Sequence, residues 1–170
     1  DNVRVPKNML VGEKNRGWYQ ITPQLDYERS GIERVMANYI LFEELLNYVK
    51  ETGRAKDPIV RNKLVELRVE FEVGKLLVYR TAYILDQGKV PNYESALAKT
   101  YCTEFEQRLS DVAVNILGLK GLLRPESKWA PLNGWAAMDY LFAPGFTLQA
   151  GTSEILRNVV AIRGLGLPAR

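Results

Sequence analysis

Residues 150–157 read AGTSEILR, and their types and spacing could do chemistry. Gly151 lets a ligand approach the backbone closely. Thr152 can N-cap a helix, and Glu154 falls in the first turn, where negative charge is favoured. The amides of Ser153, Glu154 and Ile155 would then suit an anion or a polar ligand. The same residues also spell a well-capped helix with no ligand. The capping box is incomplete, because Ile155 stands where Glu or Gln would close it. A second stretch, LDYERSG at 25–31, carries mixed charge. Asp26 and Arg29 are three apart on one helical face and can pair, while Glu28 precedes Arg29 by about 100° on the wheel. A solvated helical turn has the same composition.

Other candidates have blander readings. Glu66, Glu70 and Glu72 in ELRVEFE suggest paired carboxylates, but a solvated helix face explains them. Cys102 reads as a small packing residue, and Tyr79, Tyr83 and Tyr93 as packing and interface residues. The chain has no histidine. That excludes Ser-His-Asp and Cys-His catalysis, His-ligated zinc and the Glu-x-x-His di-iron pattern within these residues, and no metal site is expected. Acid–base work falls to Glu, Asp, Lys or Tyr. One cysteine allows no internal disulfide and fits a reducing, cytoplasmic setting.

The elements that must position these residues are helical. The chain has 170 residues, 46% hydrophobic and 25% charged, which suits one globular domain. A net charge of +3 is too small to argue for nucleic acid, and no apolar run could span a bilayer. DNVRVPKNML lacks an apolar h-region, so no signal peptide is expected there. Residues 1–20 read as a short strand and loop without partner strands, the tail of something upstream. From Pro23 the period becomes helical. Ile32, Val35, Tyr39, Leu46 and Val49 share a face of a helix over 24–52. Asp57 and Pro58 open a second helix, 57–87, with a stripe of Val60, Leu64, Leu67, Phe71, Gly74, Val78, Ala82 and Leu85. A third, 92–118, carries Leu97, Tyr101, Phe105, Leu109, Val112 and Ile116. Short helices follow at Trp135–Leu141 and from Thr152 to Arg163, with irregular chain before Gly151. Short connections make the long helices antiparallel, so an all-α, up-and-down bundle is expected. Leu76, Leu77, Tyr79, Tyr83 and Ile84 surround much of the second helix, which predicts burial on several sides and an oligomer.

These pieces occur in a telling order. VRVPKNMLVGEKNRGW, LDYER, three long helices, ILGLKG and GTSEILRNVVAIRGLGLP together resemble the acyl-CoA dehydrogenase family. The resemblance spans essentially the whole chain and is most specific at Gly151–Arg157 with GLGLP at 164–168. It implies that residues 1–20 end a middle β-domain and that 21–170 form the C-terminal helical bundle. It implies FAD-dependent α,β-desaturation of an acyl-CoA thioester, in which a carboxylate removes the α-proton and the β-hydride passes to the flavin. An electron-transfer flavoprotein or similar acceptor and a homo- or hetero-tetramer are the implied partners, with neither nucleic acid nor membrane insertion. By the same resemblance, Gly151, Thr152 and Glu154 contact FAD. Asn115, Gly118 and Gly121 match positions near a neighbouring subunit's cofactor, and Asp26 and Arg29 lie along the acyl-CoA site.

Two departures matter. Many members carry the catalytic glutamate directly before the GTS glycine, where this chain has Ala150. Many also carry Arg-x-x-Phe-Gly between the first two long helices. Here the region reads TGRAKDPIVRNKL, which keeps Arg54 as a cofactor contact but lacks Phe-Gly. Such departures resemble those of actinobacterial members acting on steroid side chains, which join two unlike subunits and keep fewer complete FAD sites. In part of the family the base comes from the position of Glu28. A general base of this kind needs an apolar, flavin-covered pocket, where desolvation raises a carboxyl pKa toward the working pH. The chain then reads as a catalytic subunit using Glu28 or as a non-catalytic partner subunit. An acyl-CoA-binding scaffold without redox chemistry is a third reading.

Overall fold

The structure is a computed structural model that describes every residue except Ser30, Ile32 and Arg170, and only the backbone of Arg34. The described residues form six α-helices: α1 Gly17–Glu28, α2 Glu33–Glu51, α3 Pro58–Asp86, α4 Asn92–Leu117, α5 Trp135–Leu148 and α6 Ser153–Val159. The architecture is the all-α bundle expected from periodicity.

α3 starts as its sequence requires. The Asp57 carboxylate accepts from the Ile59 amide at 2.8 Å, and Pro58 takes the first helical position. α2, α3 and α4 are antiparallel in succession. Tyr39 meets Phe71 with ring centroids 5.2 Å apart, and Arg108 reaches back to Glu70 at 2.6 Å. The core joins Val35, Phe42 and Leu45 of α2, Leu67 and Phe71 of α3, and Phe105 and Leu109 of α4. Each such side chain contributes about 1.5–3 kcal/mol by leaving water. Cys102 is fully buried, with its Sγ 4.0 Å from the Gly74 carbonyl oxygen, as a packing residue should be.

Several expectations need correction. The helix over 24–52 is two helices, α1 and α2, with Gly31 between them. Glycine is a poor helix former, yet the pattern on either side continues a 3.6-residue period and hides the break. Ile32, expected on that stripe, lies outside the described residues. α1 begins at Gly17 and runs through Pro23, which forgoes one backbone hydrogen bond inside the helix. No strand forms at Val3–Val5 among the described residues, since a strand needs a partner and this chain supplies none. The buried face of α4 is turned slightly from the expected stripe: Ala98, Cys102 and Ala113 are buried while Leu97 is exposed. On α3, Thr81 is buried and Ala82 exposed. α5 extends to Leu148, so Phe146 and Thr147 are helical rather than irregular. Beyond α6, residues Val160–Gly164 form a π-helical turn in place of the α-helix expected to Arg163.

Within this single chain, α4 packs against α2, α3, α5 and α6. α3 shows Leu76, Tyr79 and Tyr83 to solvent on this chain, with Leu77 and Ile84 half-buried.

Candidate functional site: a clamped hinge at one end of α4 and an open corner at the other

Two consecutive residues between α5 and α6 adopt positive φ, Ala150 at 53° and Gly151 at 99°. Glycine tolerates this region, whereas an L-alanine there is strained by about 1–2 kcal/mol. Gly151 has a second reason to be glycine. A Cβ there would lie 3.0 Å from Nη2 of Arg29 and 3.1 Å from Leu156. The carbonyls of both residues are held by buried cations. Arg29 Nε donates to the Ala150 carbonyl at 2.9 Å, and Lys99 Nζ donates to the Gly151 carbonyl at 2.8 Å. Arg29 is only 8% exposed and Lys99 0%.

The clamp is tied to the rest of the molecule by polar contacts. Arg29 faces Asp26 one turn back at 3.7 Å, the pair expected from spacing. Asp26, also buried, accepts from Asn92 Nδ2 at 2.8 Å, and Asn92 Oδ1 accepts from Arg163 at 2.9 Å. A relay thus runs from the π-helical turn through the start of α4 and the end of α1 to the hinge. Glu28, chain neighbour of Arg29, is exposed.

α6 starts as its cap predicts. The Thr152 hydroxyl accepts from the Ile155 amide at 3.3 Å, so that amide is engaged within the chain. Glu154 is held below the usual carboxylate range, first by its own backbone amide and then by the Thr152 side chain, with Arg157 and Lys99 adding attraction. Beside it lies a cavity of about 530 Å³ between α4, the end of α5 and the start of α6. Glu104, Arg108, Glu154 and Arg157 line it, together with Ser153, whose buried hydroxyl oxygen has no protein partner.

The remaining candidates sit at the far end of α4. Arg54 donates to the Ile116 carbonyl, which places it beside Asn115 and Gly118. Asn115 is exposed, and its amide donates to the Asp111 carbonyl at 2.9 Å. Gly118 caps the helix at φ 68°, and Gly121 lies so close that a Cβ would sit 2.8 Å from that of Leu117. From Lys99 to Ile116 is about 25 Å along the helix. The predicted residues therefore form two groups rather than one. Glu66 and Glu72 lie in surface ion pairs with Lys63, Arg68 and Lys75, and no group able to hold a metal occurs among the described residues.

Sequence reasoning missed Lys99, Asn92, Arg163 and Asp139. The available signal for Lys99 was a lysine in ALAKTYC, a run of small and apolar residues that suits burial. Asp139 of α5 has a buried Oδ2 without a partner, and burial pushes its carboxyl up to about 6.

The family profile for the C-terminal domain of acyl-CoA dehydrogenase matches residues 15–165. This chain belongs to the acyl-CoA dehydrogenase family. Acyl-CoA dehydrogenase IpdE1 of Mycolicibacterium smegmatis is 27% identical over 171 residues, covering 99% of this chain and 41% of the relative. The solved structure of the Tcur3481-Tcur3483 steroid ACAD superposes with a TM-score of 0.91 at 31% identity, over all of this chain and 44% of that one. The ChsE4-ChsE5 complex from Mycobacterium tuberculosis gives 0.89 at 26%, over 99% of this chain and 45% of that one. The chain thus spans less than half the length of these relatives and resembles the branch whose solved members include a steroid enzyme and a two-component complex. Among the described residues no helix is long and apolar enough to cross a membrane.

Proposed function

We propose that the full-length protein is a subunit of an FAD-dependent acyl-CoA dehydrogenase, with Glu28 as the base that takes the α-proton of an acyl-CoA thioester. One observation carries this reading. Arg29, the chain neighbour of Glu28, holds the backbone of Ala150. The two positions from which the resemblance expects a base therefore share one neighbourhood, and a carboxylate at 28 can stand in for the one that alanine lacks.

The chain's polar groups suit FAD. Its hydroxyls would meet the partnerless Ser153 hydroxyl and the Thr152–Glu154 turn, while Arg157 pairs with Glu104 at 2.6 Å and Asp111 also lines the cavity, so this chain offers the hydroxyl-binding part of such a site rather than a phosphate cradle. FAD, when bound, supplies the hydride acceptor. The chain's own residues would do the rest. Asp26 and Arg29 would border the thioester and hold the hinge in place. Glu28 would accept the proton on a carboxylate oxygen, its desolvation coming from groups beyond this chain, since it is exposed here. Gly151, Thr152 and Glu154 would face the cofactor of their own subunit, and Asn115, Gly118 and Arg54 that of a neighbour. The residues ahead of α1 would close the β-domain, with an electron-transfer flavoprotein or similar acceptor reoxidising the enzyme. The steroid enzyme among its relatives supports a CoA thioester on a polycyclic ring as substrate.

A second reading has its own observation. Ala150 carries no base, and the Arg54 guanidinium is directed at the Ile116 carbonyl of its own chain. A non-catalytic partner subunit would have both features. Glu28→Gln in the full-length complex separates the two. Anaerobic flavin bleaching by acyl-CoA should slow about 10²–10⁴-fold with FAD still bound. Bleaching at the wild-type rate would remove Glu28 as base and favour the partner reading. Ala150→Glu in the Glu28→Gln background should restore bleaching where both positions address one α-carbon.

A further inference from the structure

Lys99 is fully buried on α4, the helix that carries both groups of candidate residues. A buried ammonium costs several kcal/mol unless it is paired and hydrogen-bonded. One partner here is the Gly151 carbonyl at 2.8 Å, 52 residues away, in a two-residue hinge of positive φ. Arg29 holds the carbonyl immediately before. A trans peptide sets its C=O and N–H antiparallel. Drawing the carbonyls of Ala150 and Gly151 onto two interior cations therefore turns the N–H groups of Gly151 and Thr152 away from those cations.

We infer that Lys99 is a positioning residue: with Arg29 it clamps two successive peptide planes and so sets the direction of the hinge amides and the start of α6. Side-chain chemistry at position 150 has no part in this, since Ala150 has none to offer. The clamp acts on backbone alone. Arg29 receives the first carbonyl and Lys99 the second, so each cation holds its own peptide plane.

The experiment uses Lys99→Met and Lys99→Gln in the full-length protein, and its kinetic arm rests on the dehydrogenase reading above. In the first arm, amide hydrogen exchange is followed by mass spectrometry. Residues 150–156 should exchange about tenfold or more faster in Lys99→Met, with α3 unchanged, because opening is local. Lys99→Gln, which keeps an N–H donor, should lose less protection. In the second arm, the maximal rate of anaerobic flavin bleaching should fall about tenfold or more, while the acyl-CoA concentration for half-maximal rate moves less than about threefold. Unchanged exchange at 150–156 in a folded Lys99→Met protein would overturn the inference. Equal loosening of α3 and the hinge would also overturn it, as would failure of both variants to fold, since either assigns Lys99 to overall stability. A wild-type protein that does not bleach would sink the dehydrogenase reading instead, and the exchange arm would still decide Lys99.

Discussion

The two ends of α4 solve different problems with the same residue types. At its N-terminal end, Asp26, Arg29 and Lys99 are buried and reach across long sequence separations to one another's neighbourhood and to the hinge. At its C-terminal end, Arg54, Asn115 and Gly118 are exposed, and open space surrounds Gly53 and Gly118. The buried end is completed by this chain's own groups. The open end presents polar groups and exposed Leu119 and Leu122 that this chain leaves uncovered. A charge removed from the first should therefore disturb several buried polar groups at once, while a charge removed from the second loosens a single part-buried hydrogen bond.

The largest effect expected from this contrast is on Arg29. Arg29→Met removes a buried cation that holds the Ala150 carbonyl and faces Asp26, and should cost about 3–5 kcal/mol, or roughly 10 °C in the thermal midpoint. Arg54→Met should cost about 1–2 kcal/mol, as for a single part-buried charged hydrogen bond. Equal losses in a calorimeter would break the comparison.

Glycine substitutions give a matched pair. Gly151→Ala meets both an unfavourable φ and contacts near 3 Å, and should destabilise by about 3 kcal/mol. Gly53→Ala, at φ 73° in open space, meets only the backbone term, about 1 kcal/mol. Denaturant unfolding of the two variants reads the difference as a shift in midpoint at constant slope.

Asp139 sharpens the distinction between buried charges with and without partners. Its carboxyl is raised from 3.8 to about 6 by burial, so the folded state holds a proton that the unfolded state releases. Stability from this group is therefore fully present below the lower value and lost as pH rises through the upper one. Allowing for partial exposure, the loss is about 1–2 kcal/mol. Asp139→Asn should flatten the stability profile between pH 4 and 6 by that amount and stabilise the protein at pH 7. A slope retained in Asp139→Asn would show that another group titrates there. The smallest effect is at Ala150. Ala150→Gly relieves the strained φ but frees the unfolded chain, for a net gain of at most about 1 kcal/mol, measurable by the same unfolding curves.

Much of the fold was readable because its signals are local. Asp57–Pro58 opens α3 through a side chain two residues from the amide that donates to it, and Gly118 closes α4 through its own φ. Thr152 announces α6 in the same way. Each depends on residues within one helical turn, which sequence alone specifies. The break between α1 and α2 escaped because both sides keep one period, and Gly31 alone does not say whether a helix bends, continues or stops.

The candidate site divides along the same line. Sequence by itself determined that Asp26 and Arg29 could pair, that Gly151 precedes a capped helix and that Ala150 can remove no proton. It also determined, through the order of its motifs, membership of the acyl-CoA dehydrogenase family. Only the tertiary structure decided that Arg29 faces Ala150, that Lys99 is a buried clamp rather than a surface lysine, and that Arg54 lies about 25 Å along α4 from the hinge. The reason is physical. A lysine at a helical position carries no local mark of its partner, and only packing of α4 against α5 and α6 excludes water from the Nζ and leaves the Gly151 carbonyl to receive it.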